Sequence, residues 1–162
     1  MPEQPSWNAP RVPEMVGATS APVQLGKETT STSFAIQPPT GPALLRADGR
    51  PRRVFLDIQN ITSDQMAPSY DVYLNVPQGD RPETHPELHV GGMAMFGLVE
   101  SSMGNRQHPD NGLTYRFEVT SVCAILAASG DWDPQNLRVS FVPTRWNDPV
   151  DVRVGRVSLY YE

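Results

Sequence analysis

Between residues 53 and 160, apolar side chains recur at every second position, in short runs cut apart by prolines, glycines and polar clusters. A period of two sends alternate side chains to opposite faces of an extended chain, so each run describes a strand with one buried face. Residues 53–59 carry Val54, Leu56 and Ile58 on one side. Residues 69–76 carry Tyr70, Val72, Leu74 and Val76 on one face and Asp71, Tyr73 and Asn75 on the other, and Pro77 ends the run. Residues 88–96 alternate Leu88, Val90, Gly92, Ala94 and Phe96 with His89, Gly91, Met93 and Met95. The Gly91-Gly92 pair there marks a bulge or a close backbone approach. Residues 114–119, 137–143 and 150–160 complete six strands, the last with a phase slip at Gly155. Only residues 121–129 change period. Val122, Ile125 and Leu126 fall at helical spacing, Thr120 or Ser121 stands where a helix is capped, and Gly130 where one ends.

The first 50 residues read differently. Pro2, Pro5, Pro10, Pro13, Pro22, Pro38, Pro39 and Pro42 exclude a long helix. This part is expected to be an extended leader (residues 1–50) with one or two short strands, at Val23-Gln24-Leu25 and at residues 32–36, closed by a turn at residues 38–42. Residues 51–162 form the compact domain. With no strand–helix–strand alternation, the fold class is all-β: an antiparallel β-sandwich or Greek-key barrel with one short helix and an extended Pro-rich N-terminal leader.

Charge and motif content narrow the function. Basic residues number 13 against 18 acidic ones, for a net charge of −5, and Lys27 is the sole lysine. Beyond Arg50, Arg52 and Arg53 there is no basic run, so a nucleic-acid partner is not expected; phosphate binding needs a concentrated positive face. No apolar stretch approaches the roughly 20 residues of a membrane-spanning helix, and the start lacks the basic and apolar segments of a secretory signal. The sole cysteine, Cys123, excludes an internal disulfide. Among Val122, Ala124, Ile125 and Leu126 it reads as a buried structural thiol, with a reactive thiol as the alternative.

Neither a Gly-x-Ser-x-Gly elbow nor a His-Glu-x-x-His pair is present. Asp131 and Asp133, flanking Trp132 before Pro134, suit a turn better than acid–base work. Trp7, Trp132 and Trp146 fall in loops, either packed or in contact with another domain. The most suggestive cluster is His85-Pro86-Glu87-Leu88-His89. Pro86 argues against a helix, but on an extended segment His89 shares a face with Met93 and Met95, and thioethers favour Cu(I). His85, His89, Met93 and Met95 are therefore candidate metal ligands; the alternative is packed methionines beside solvated histidines. A blue-copper site is not expected, because neither a His nor a Met follows Cys123.

The order of these runs resembles the C-terminal domain of tyrosinases and polyphenol oxidases. Ser69-Tyr70-Asp71-Val72-Tyr73-Leu74-Asn75 is similar to that family's Lys-Phe-Asp-Val signature strand, with Tyr70, Asp71, Val72, Tyr73 and Asn75 at the signature positions. Residues 53–58, 89–96, 137–143 and 152–157 resemble the strands around it, and residues 13–19 resemble a segment that joins the catalytic domain to this one in bacterial relatives. The resemblance covers residues 53–162. It implies a domain that is not itself an enzyme, with no cofactor of its own. The copper would sit in the catalytic domain of the parent enzyme, which would be the partner, in cis or after cleavage. The domain would shield the dicopper site and keep the enzyme latent or stabilise it, with one bulky side chain in the substrate pocket in some relatives. Residues 77–87 and 101–113 are the loops from which such a plug is expected. A coupled copper pair takes six histidines, and this chain has three: His85, His89 and His108. The alternative function is a free-standing β-sandwich module for copper delivery or for a protein partner, using the His89, Met93, Met95 face.

Overall fold

The computed structural model describes residues 13–37, 52–103 and 112–162. Trp7, His108 and the expected turn at residues 38–42 lie outside them. The described strands are β1 (Glu14–Ala18), β2 (Val23–Leu25), β3 (Thr30–Phe34), β4 (Val54–Thr62), β5 (Tyr70–Leu74), β6 (His89–Met93), β7 (Leu113–Glu118), β8 (Leu137–Pro143) and β9 (Val152–Tyr161). They form two sheets, ordered β1-β9-β4-β7 with β2 also on β9, and β3-β8-β5-β6. Every pairing is antiparallel.

The period-two faces are what bring the sheets together. Leu56, Ile58, Ile61, Val154, Val157 and Leu159 of one sheet and Val72, Leu74, Val139 and Phe141 of the other are fully buried in one core. Each such side chain contributes about 1.5–3 kcal/mol relative to exposure, the dominant stabilising effect here. In β9 the inward face passes from Val154 to Val157, and in β4 from Ile58 to Ile61. The two strands slip phase opposite each other, so their pairing stays in register across the slip expected at Gly155.

Residues 1–50 were expected to be an extended leader with one or two short strands, at residues 23–25 and 32–36. Of these, residues 13–37 supply β1 and β2 to one sheet and β3 to the other, and Val16, Val23, Leu25, Phe34 and Ile36 are buried in the core. The strand β1 escaped the sequence reading because Val16 sits in a bulge between Met15 and Gly17, which breaks the alternation.

The helix α2 (Thr120–Ser129) closes one end of the sandwich and stops at Gly130, which is left-handed (φ 80°). Its start is not capped as expected: Val119 occupies the cap position, and the Thr120 hydroxyl accepts from Val54 N at 3.0 Å. A further short helix, α1 (Leu98–Ser102), follows β6. No helix among the described residues is long and apolar enough to cross a membrane.

Candidate functional site

The signature run around β5 is structural in its setting. Tyr70 is buried and donates its hydroxyl to Gly26 O at 2.9 Å; burial pushes that hydroxyl up to about 12. Val72 is fully buried, and Tyr73 is buried on the opposite face of the strand. Asn75 is left-handed (φ 48°). Its Oδ1 accepts from Arg138 N at 2.7 Å, and its Nδ2 donates to Asp131 O at 3.3 Å. It thereby ties β5 to the start of β8 and to the turn after α2. Asp71 lies on the outer face, where its Oδ1 stands 3.0 Å from His89 Nε2.

The four candidate metal ligands do not share a face. Tyr70 pairs with Met93, Asp71 with Gly92 and Val72 with Gly91, but Tyr73 pairs with His89, which leaves Val90 as an extra residue. This bulge turns His89 outward, where its ring meets Tyr73 edge-on at 5.1 Å between centroids. Met93 points inward and is fully buried, and Met95 is half-buried against the same core. Gly91 takes the close approach expected of it, since a Cβ there would stand 2.6 Å from the Phe117 ring across the sandwich.

His85 is held apart from His89. Its Nε2 faces Asp80 Oδ2 at 2.8 Å and its Nδ1 faces Glu87 Oε1 at 3.0 Å. The hydrogen bonds to Asp80 and then Glu87 raise its pKa above the ordinary 6.5. Among the described residues no group of three His, Cys, Asp or Glu side chains could hold a metal ion. With His85 and His89 engaged by separate carboxylates and Met93 in the core, these residues do not fit a copper centre. Cys123 is buried, and desolvation pushes its thiol up to about 12, far from the thiolate that reacts or ligates.

What the molecule does present is an apolar end. Strand registers place the β2–β3, β4–β5, β6–β7 and β8–β9 connections at one end of the sandwich, opposite α2 and the loop of residues 75–88. The most exposed large apolar side chains among the described residues are Phe96 (90%), Met66 (74%) and Met103 (70%), and all three lie on that end. Its loops are fastened to one another. Ser63 donates to Asp151 O at 2.8 Å, Ser102 Oγ accepts from Ser63 N at 2.9 Å, and Lys27 donates to Asn147 O at 3.0 Å. A cleft of about 410 Å³ opens beside Met103, between Asp64 and Arg153.

The two loops from which a plug was expected therefore lie at opposite ends. Residues 77–87 belong to the α2 end, where Pro82 is buried. The β6–β7 connection belongs to the apolar end. Sequence reasoning missed Phe96 because it extended the strand to residue 96, whereas β6 stops at Met93. Trp132 packs against the core, and Trp146 is half-buried in the β8–β9 connection.

The fold is that of part of a polyphenol oxidase. The latent aurone synthase (polyphenol oxidase) from natural source superposes with a TM-score of 0.53 at 19% identity, over 88% of this chain and 26% of that one. The recombinantly expressed latent enzyme gives the same values. More narrowly, the chain belongs to the family described as Domain of unknown function (DUF7868), whose model matches residues 12–162. It is 30% identical over 153 residues to tyrosinase HcTyr1 of Hahella sp. (strain CCB-MM4), covering 92% of this chain and 32% of the relative. The chain thus spans about a third of that tyrosinase and a quarter of the aurone synthase, as a C-terminal domain of such an enzyme does.

Proposed function

We propose that this sandwich is the non-catalytic cover of a tyrosinase or polyphenol oxidase-like copper enzyme, lying over the dicopper site and keeping the enzyme latent. The observation that carries the reading is the partial match: nearly all of this chain corresponds to only a third of a tyrosinase. The printed names of the solved neighbours, which describe latent enzymes, support it. So do the three large apolar side chains exposed at one end, Phe96, Met66 and Met103, a setting that suits contact with another protein surface.

In this reading the copper and its histidines belong to the catalytic domain. This chain supplies shape and apolar surface, and catalysis needs nothing further from it. Latency then follows from exclusion: while the cover is docked, a phenol cannot reach the metal pair.

Adding this chain at saturating concentration to HcTyr1 trimmed of its own matching third tests the reading. Phenol oxidation is expected to fall at least about tenfold, the effect of a standard-sized interface of micromolar affinity or better. Undiminished oxidation at saturation would contradict it.

A further inference from the structure

A sheet ends where the outward N–H and C=O groups of a strand have no partner, and folds guard such edges against pairing with another chain by bulges, charges, proline or very short length. The described edges of this sandwich are guarded in those ways, with one exception. β1 and β6 each carry a bulge. β2 is three residues long. β7 exposes the charges of Arg116 and Glu118. β3, which ends the order β3-β8-β5-β6, has none of these devices. Its five residues, Thr30-Ser31-Thr32-Ser33-Phe34, contain no charge and no proline. They pair with β8 one for one, from Thr30 opposite Phe141 to Phe34 opposite Leu137. Phe34 is buried and Thr30 and Thr32 are half-buried, while Ser31 and Ser33 are exposed. Among the described residues, no backbone hydrogen bond reaches β3 from the side away from β8.

We infer that β3 is the contact by which two copies of this chain join, edge to edge and antiparallel, about a two-fold axis at Thr32. The sequence of the strand selects a second copy as the occupant. Pairing Thr32 with its own counterpart sets Ser31 opposite Ser33, and Thr30 opposite Phe34, of the other copy. Each pair then joins residues of the same face, so Thr30, Thr32 and Phe34 stay towards the two cores and the serine hydroxyls meet on the outer side. Ser and Thr opposite one another are favourable cross-strand pairs, and no charge faces a like charge. A charged or strongly apolar segment finds nothing on this edge to match. Main-chain hydrogen bonds supply the rest, as in strand addition generally. This flank runs between the two ends of the sandwich and leaves the apolar end open, so the contact is independent of the cover reading.

The test is sedimentation of the intact chain over a range of concentrations, beside two doubly substituted variants, Ser31→Lys with Ser33→Lys and Ser31→Glu with Ser33→Glu. Both positions are exposed, and thermal melting checks that the variants fold. The intact chain is expected to dimerise. Each variant alone sets like charges opposite one another and is expected to dimerise at least about tenfold more weakly. Mixed in equal amounts, the variants set Lys against Glu, and the dimer is expected to return as a mixed one. In the intact chain, amide exchange of residues 30–34 is expected to slow as concentration rises, a reading that needs no variant. An intact chain that stays monomeric at millimolar concentration, exchange there that ignores concentration, variants that dimerise as the intact chain does, or a mixture no stronger than its parts would overturn the inference. So would a monomeric intact chain whose lysine variant loses inhibition of trimmed HcTyr1, which would give this edge to the catalytic domain.

Discussion

At the scale of single residues, Asn75 shows how much a strand reading leaves out. Its place on a polar face was legible from the alternation, but its backbone angle was not. A left-handed conformation at a non-glycine residue costs about 1–2 kcal/mol, less for Asn, whose short amide bonds locally. Here the amide bonds at long range, to Arg138 N and Asp131 O. Asn75→Ala therefore loses two hydrogen bonds and incurs the full angular strain, and is expected to destabilise the domain by roughly 2–4 kcal/mol. Asn75→Gly, which relieves the angle but not the bonds, should recover about half of that. Denaturant unfolding of both variants checks it, and equal losses would show that the bonds alone matter. Asp57 is a second residue whose setting was hidden. Its carboxylate is buried, yet Arg116 grips it at 2.7 and 2.8 Å between the rings of Phe55 and Tyr160. Sequence alone does not pair two residues 59 positions apart.

At the scale of elements, the strands with clean alternation were legible and the irregular ones were not. β5 and β8 follow their apolar faces, and β4 and β9 do so on either side of the phase slip they share. β1 and β6 each carry a bulge, and one extra residue reverses every face beyond it. This is why His89, expected beside Met93, stands on the other side of its sheet. The glycine pair in β6 gave the only advance notice, and it did not say where the phase would turn. The loop of residues 77–88 is fastened by His85 between Asp80 and Glu87. Filling both bonds takes a doubly protonated ring, so the fastening is acid-favoured. Because the folded pKa lies above the ordinary 6.5, its contribution is fully present below that pH and fades as pH rises through the raised value. A proton NMR titration should place the His85 midpoint above 6.5, with faster amide exchange in residues 78–87 on the alkaline side. A midpoint at or below 6.5 would contradict this, and His85→Gln should lose the dependence.

At the scale of the whole molecule, the period-two pattern and the order of its runs were enough to read a sandwich of the polyphenol oxidase type. The extent of that sandwich was harder to see, because the short strands at residues 23–25 and 32–36 read as parts of a leader and not of the sheets, and the bulge hid β1. Which end of the molecule is available for a partner was not legible at all. It depends on strand direction, on where β6 stops and on which loops fasten to one another, and these are products of the assembled fold. The account comes to rest on that end. Hydrogen exchange of the chain, alone and mixed with trimmed HcTyr1, reads it directly. Slowed exchange is predicted in residues 63–69 and 94–103, with residues 77–88 unchanged. Protection confined to residues 77–88, or none anywhere at concentrations that form the complex, would contradict it.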